Sequence, residues 1–466
     1  MEVRIVSREL VKPSSPETVK AKPPHKLCLF DQLFPLTYTP LILFYANPET
    51  PNLRSTDRFI AHLKRSLAET LTVYYPFSGR TNSGNLLIDR FGEGIPFIHV
   101  KVESCRLSDF LKRREPENLN CLLPRAPFRR ESVEFDSPVL EMQVSVFACG
   151  GIALGWAASH KLIDGFTMIS FLKAFSAVSR GGREKAELLS AAPPCFGRAA
   201  ELFPPREAFP ENYRNLMETL WFIEGNYVTR RFVFDSESIS KLRAEASAAG
   251  GKTEQEQGKK KIKLSRVEAV SCLIWKSSMA AARSISGGKP RTSILVEAVN
   301  LRDVTDPPLV GGDTIGNVFW LATACADESS AVDLPELAEN LRGAIELYRS
   351  EYVKSLQGEE GFEALSGFFE QLEGLFEAET PDILAFTSWN GFGVTGQDFG
   401  WGDPKWVAVM GRPSPGFRNL TVLVDSVDGG GKMEAWITLE EQRMKVFERD
   451  PEFLAFANPN PIISSL

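Results

Sequence analysis

The chain has little of what usually announces chemistry. Of its 466 residues only four are histidine, at positions 25, 62, 99 and 160. Seven cysteines stand singly at 28, 105, 121, 149, 195, 272 and 325. An odd number with no Cys-x-x-Cys pair excludes a disulfide framework and a cysteine zinc site, and fits a reducing compartment. Basic residues are outnumbered, 53 against 60 acids, for a net charge of −7. That balance argues against a nucleic-acid surface. Apolar runs such as "PLILFYA" and "GIALGWAA" are too short to span a bilayer. The start, "MEVRIVSRELVKPSS", carries charges where a signal peptide needs an apolar core. No fixed-period repeat and no G-x-S-x-G nucleophile elbow is present.

What remains is an ordinary globular composition, 43% hydrophobic and 24% charged, long enough for two or three domains. About thirty residues from "REKAELLSAAPPCFG" to "FPENYRN" are rich in proline and alanine and lack strand alternation. They divide the chain into residues 1–190, a crossover at 191–217, and residues 218–466. Each half mixes helix and strand signals. "DRFIAHLKRSLAETLTVY" places Phe59, Leu63, Leu67 and Leu71 on one helical face. "RRFVFDSESISKLRAEASA" and "KIKLSRVEAVSCLIWKSSMAAAR" each predict a strand turning into a helix, with Asp235 or Ser236 as the first N-cap. "NLTVLVDSVDGGGKMEAWITLE" predicts two strands joined by a glycine-rich turn. Both halves are therefore α/β, each a mixed sheet with helices packed on it.

One stretch stands out, "ASHKLIDGFTMISFLKAF" at 157–174. Ile152, Leu154, Trp156 and Ala158 alternate on one face of a predicted strand, with half its surface buried. Phe166, Ile169, Leu172 and Phe175 then repeat at helical spacing up to Gly181. His160 falls in the connection between them, where α/β proteins place ligands. Its pKa near neutrality suits a general base, and Asp164 four residues on can order the loop. A structural histidine satisfies the same local pattern, and one histidine with one carboxylate is too little for a metal. The run "GKKKIK" reads either as a solvated loop or as an anion contact.

Taken together, the stretches favour one side. "HKLIDG" (160–165) followed by "DFGWG" (398–402) resembles the plant BAHD acyl-CoA-dependent acyltransferases. "LCLFDQLFPLTYTPLILFY" (27–45), "LKRSLAETLTVYYPFSGR" (63–80), "ELFPPRE" (201–207), "NLRDVTDPPL…GN" (300–317) and "EAWITLEEQRMKVFERDPEFLAFANPNP" (434–461) resemble further blocks of that family, most of all its alkaloid-acetyltransferase subgroup.

The resemblance implies two similar-sized α/β domains of the chloramphenicol acetyltransferase-like fold, with a channel between them. It implies transfer of an acyl group, most often acetyl, from acyl-CoA to a hydroxyl or amine of a plant specialised metabolite. The alternative is a lyase-type reaction or ligand binding on the same fold. It makes His160 the general base and Asp164 a structural support paired with Arg302. Thr387 and Trp389 would be the donors to the oxyanion. Asp398, Phe399, Gly400, Trp401 and Gly402 would be scaffold on the CoA side. Ser265, Lys259, Lys260 and Lys261 would contact CoA, and Tyr38, Ile163 and Phe392 would line the acceptor pocket. No metal and no bound cofactor is expected, acyl-CoA being a co-substrate. The expected state is a monomer, without nucleic-acid or membrane partners, in the cytoplasm. The terminal Ser464-Ser465-Leu466 makes the peroxisome a lesser alternative. "NGFGVTGQ" (390–397) departs from the bulkier family pattern and predicts a wider pocket for a bulky acceptor such as an alkaloid or terpenoid alcohol.

Overall fold

The computed structural model describes residues 2–48, 55–82, 86–113, 116–129, 136–190, 193–247, 263–289, 291–302, 310–327, 333–348, 352–378, 380–414 and 417–463. Lys259, Lys260, Lys261 and the terminal Ser-Ser-Leu lie outside those residues.

Besides a small three-stranded sheet of His25–Lys26, Arg80–Thr81 and Leu87–Asp89, the first half gives β1 (Arg4–Val11), β2 (Tyr38–Tyr45), β3 (Ile95–Val102), β4 (Leu140–Phe147) and β5 (Ile152–Ser159). The second half supplies β6 (Tyr227–Phe234), β7 (Thr292–Asn300), β8 (Phe319–Asp327), β9 (Asp382–Ser388), β10 (Trp406–Ala408), β11 (Leu420–Asp425), β12 (Met433–Glu440) and β13 (Asn458–Pro459). They form two mixed sheets, ordered β1-β3-β4-β5-β2-β10 and β8-β7-β9-β11-β12-β6-β13. One strand crosses between the halves. β10 leaves its own sheet and pairs antiparallel with β2, Trp406 opposite Phe44 and Ala408 opposite Ile42.

Helices cover the sheets. The long ones used below are α1 (Thr56–Val73), α2 (Gly165–Arg180), α3 (Glu211–Trp221), α4 (Ser236–Ala246) and α5 (Arg266–Ile285). In α1 the expected face, Phe59, Leu63, Leu67 and Leu71, is buried. Asp235 caps α4, its side chain accepting from Ser238 N. The glycine-rich turn joins β11 to β12, which pair with Asp425 opposite Met433.

Three local expectations change. All eight residues of β5 are buried, because β4 and β2 flank it and both its faces are covered. The alternation seen in its sequence marks size, not exposure. Residues 263–265 form no strand; Ser265 instead caps α5, its hydroxyl accepting from Glu268 N while Glu268 accepts from Ser265 N. The proline-rich crossover holds two helices, Arg198–Leu202 and α3, the latter beginning directly after Pro210. No helix among the described residues is long and apolar enough to cross a membrane.

Candidate active site

His160 directly follows β5, and its backbone N–H donates to Thr37 O at 2.9 Å. One residue past the turn, Asp164 caps α2 through Thr167 N (2.7 Å), as an aspartate at a helix N-terminus does. Its carboxylate makes no hydrogen bond to His160. Asp164 also accepts from Val318 N (3.1 Å) and from Arg302 Nη1 (2.9 Å) in a buried ion pair. Arg302 is saturated: Nε donates to Thr314 O, and Nη2 donates to Gly316 O, both at 2.9 Å.

The imidazole is held by a different chain of contacts. Asn317 Nδ2 donates to Asp31 Oδ1 (2.8 Å) and to His160 O (2.7 Å). Both partners only accept, so the amide orientation follows and Asn317 Oδ1 faces His160 Nδ1 at 3.1 Å. Nδ1 must then carry the proton, which leaves Nε2 as a bare lone pair. Asp31 is fixed in turn by Cys28 N (2.7 Å) and Asn317 N (3.0 Å). Burial raises the Asp31 carboxyl to about 6 against the lowering effect of those donors. Phe34 stacks on the His160 ring at 4.9 Å. Burial lowers the His160 pKa, so the ring is neutral at pH 7.

His160 lines a cavity between the two sheets. Residues of both halves build it. One lobe is aromatic and aliphatic: Phe34, Phe128, Trp221, Phe417, Val409 and Leu420. Phe128 stacks on Phe417 at 4.2 Å, and Trp221 lies parallel to Phe417. The other end is lined by Gly165, Phe166, Trp389, Phe392 and Asn300. Among the described residues the only charged lining ones are Asp164 and Arg302, and they neutralise each other.

Thr387, near the end of β9, and Trp389, just beyond it, line the cavity from the second sheet. Neither side chain hydrogen-bonds to a described residue, so the Thr387 hydroxyl and the Trp389 indole N–H remain available donors. Trp389 packs against the start of α2, where Gly165 leaves it room. Ile163 and Phe392 also line the cavity, Phe392 packed edge-on to Phe166 at 5.5 Å.

Tyr38 does not line the cavity, a correction to the sequence expectation. Its neighbours Thr37 and Thr39 line the cavity, while the Tyr38 side chain is turned toward Pro138 and Arg125. There its hydroxyl donates to Pro138 O (2.6 Å) and the Arg125 guanidinium lies 3.9 Å over its ring. Ser265, the cap of α5, is also absent from the cavity wall.

Residues 398–402 stand apart from the cavity and pin the second half to the first. Asp398 Oδ1 accepts from Gly400 N (2.7 Å) and Gly402 N (2.9 Å), closing a turn with both glycines at positive φ, 104° and 97°. Phe399 O accepts from Ser179 Oγ (2.7 Å), and the Phe399 ring packs on Phe175, both residues of α2. Trp401 packs on Phe59 of α1 at 4.9 Å. No cluster of three metal-ligating side chains occurs among the described residues.

Asp31 and Asn317 are the members of the site that the residue pattern left without a role. Both sit in quoted blocks, "DQLFPLTY" and "…GN", yet 286 positions separate them. A buried aspartate beside an apolar run was the one available signal.

Comparison with known proteins agrees with this architecture. The Transferase family model matches residues 1–454. The chain is 37% identical to a limonoid 7-O-acetyltransferase of Citrus sinensis, over 99% of each chain. It is 35% identical to vinorine synthase of Rauvolfia serpentina, over 94% of each. The crystal structure of vinorine synthase superposes with a TM-score of 0.78 at 32% identity, covering 98% of this chain and 99% of that one. F. sporotrichioides TRI101 in complex with coenzyme A and T-2 shares the fold at a TM-score of 0.69, 19% identity, 94% of this chain and 100% of that one. The chain belongs to the BAHD Transferase family and is an acyl-CoA-dependent acyltransferase with acyl-CoA as co-substrate.

Proposed function

We propose that the enzyme transfers an acyl group, most often acetyl, to a hydroxyl of a bulky neutral polycyclic metabolite within a ternary complex. The acceptor fills the lobe of Phe34, Phe128, Trp221 and Phe417. His160 Nε2 removes the hydroxyl proton as the oxygen attacks the thioester carbonyl. The new C–O bond forms while the carbonyl π bond moves onto oxygen. Thr387 and Trp389 donate to that oxyanion, in a largely apolar cavity where such donors count most. Collapse restores the carbonyl, breaks the C–S bond and expels the CoA thiolate, which takes the proton back from the imidazolium. No acyl-enzyme forms in this scheme, and an amine acceptor would follow the same steps.

The observation that carries this reading is the His160 tautomer, since the Asn317 lock leaves the unprotonated nitrogen free. The acceptor class rests on the wall chemistry: an ammonium ion would enter a lobe without a free carboxylate. The limonoid 7-O-acetyltransferase of Citrus sinensis, 37% identical, supports a hydroxyl of a polycyclic acceptor. Both walls come from one chain, so a monomer suffices, and seven free cysteines fit the cytoplasm.

The test is a mass-spectrometric assay of wild type and His160→Ala with acetyl-CoA, benzoyl-CoA and malonyl-CoA against terpenoid, alkaloid and phenolic alcohols and amines. Wild type is expected to acylate a neutral polycyclic alcohol from acetyl-CoA, and His160→Ala to lose roughly 10²–10⁴-fold. Turnover by His160→Ala close to wild type would overturn the general-base role.

A further inference from the structure

Asn300 is the last residue of β7 and lines the cavity. Its Oδ1 accepts from Arg302 N and from Arg302 Nη1, both at 3.2 Å. With the oxygen held on that side, the amide nitrogen must face the other way. Nδ2 makes no hydrogen bond to any described residue and is not sealed from the cavity. Two N–H donors are thereby presented to whatever occupies the space. Arg302 cannot serve there, because Thr314 O, Asp164 and Gly316 O take its own donors.

The strand register locates this amide. β7 and β9 run parallel with Glu297 beside Phe386. Alternation then sets Ala298 in the row of Thr387 and Asn300 in the row of Trp389. β11 continues the pattern: Val422 pairs with Thr387, and Leu420 pairs with Ala385 one row back. Leu420 belongs to the aromatic lobe. Along the sheet the order is therefore aromatic lobe, Thr387, then Trp389 with Asn300. Asn300 lies on the far side of Thr387 from the lobe assigned to the acceptor.

We infer that Asn300 is a specificity-determining residue for the acyl donor, donating Nδ2–H to a carbonyl oxygen of the acyl-pantetheine arm. The inference rests on the acyl-transfer reading of the cavity. It gives Asn300 two separate jobs, one per end of its amide: Oδ1 buttresses Arg302, and Nδ2 contacts substrate. Ala298, two residues earlier on the same face, has no polar group to offer, so this recognition falls to Asn300 on that strand.

Asn300→Ser separates the two jobs. A serine hydroxyl can still accept from Arg302 N two residues on, yet it is too short to reach the cavity. Calorimetric titration of the full-length protein with acetyl-CoA, and with S-ethyl-CoA, which lacks the thioester oxygen, needs no acceptor. Acetyl-CoA is expected to bind about three- to tenfold more weakly to Asn300→Ser, the effect of one lost neutral hydrogen bond, at an unchanged thermal midpoint. If S-ethyl-CoA binds both proteins alike, the oxygen is that of the thioester. If it weakens in parallel, the oxygen belongs to the pantetheine amides. Unchanged acetyl-CoA affinity would overturn the inference, and so would a fall in the midpoint that accounts for the loss, which would leave Asn300 a buttress only. Failure here with His160→Ala inactive would sink only the role of Asn300. An active His160→Ala would sink the reading of the cavity beneath it.

Discussion

A β-carbon built on Gly165 would lie 2.4 Å from the indole nitrogen of Trp389. The glycine that closes "HKLIDG" is thus explained by a tryptophan 224 positions later, since only a missing side chain lets the ring approach. Gly165→Ala should displace Trp389 and lower kcat by about 10²-fold, the scale of one lost oxyanion donor. The acidic limb of the pH–rate profile should stay in place, because His160 is untouched. An alanine variant with full kcat would remove Trp389 from the reaction.

Asn317 should matter through a proton it never exchanges. Asn317→Leu keeps the volume but frees the imidazole to take either tautomer or to rotate. Expected is a drop in kcat of about tenfold or more, part of the whole contribution of proton transfer, with acetyl-CoA affinity retained. NMR of the ring nitrogens should show one neutral tautomer in wild type and a mixture in the variant.

Asp164→Ala is predicted to act on the fold first. Removing one partner of the buried pair leaves the Arg302 guanidinium uncompensated, at a cost of about 3–5 kcal/mol. Urea denaturation should show that loss. A loss under 1 kcal/mol would mean the ion pair contributes little.

Acid should stop the reaction and remove the His25 contribution to stability by separable routes. The base works neutral, and burial lowers the His160 pKa, so turnover should persist below pH 6.5 and fail as pH drops through the lowered value. One part of the stability change comes from His25, pushed down to about 4 by burial. Above pH 6.5 neither folded nor unfolded state protonates it. Between 6.5 and about 4 only the unfolded state does, so the His25 contribution falls with pH, by roughly 3 kcal/mol in total. The buried carboxyls of Asp31, raised to about 6, and Glu297, raised to about 8, act in the opposite sense. In denaturation curves taken from pH 7 to 4, the stability of wild type minus that of His25→Gln should fall by that amount, without movement of the kinetic limb.

Much of this was legible in sequence where the determinants are local. Asp164 capping α2, the buried face of α1 and the β11–β12 turn all depend on residues a few positions apart. Tyr38 misled because both faces of β2 are buried, so composition cannot say which face meets the cavity. The Asp31–Asn317–His160 chain was out of reach for another reason. Its members become neighbours only when the two sheets dock, and nothing in the flanking residues encodes that. The pairing of β10 with β2 is of the same kind, three residues with no signal for which sheet they join.

That borrowed strand limits how the enzyme can handle its substrates. With β10 stitched into the opposite sheet and Phe399 and Trp401 wedged against α1 and α2, the halves cannot swing apart as a clamshell. Donor and acceptor must reach the cavity, and product must leave it, without the halves separating. The girth of a substrate then joins its chemistry in deciding whether it is acylated.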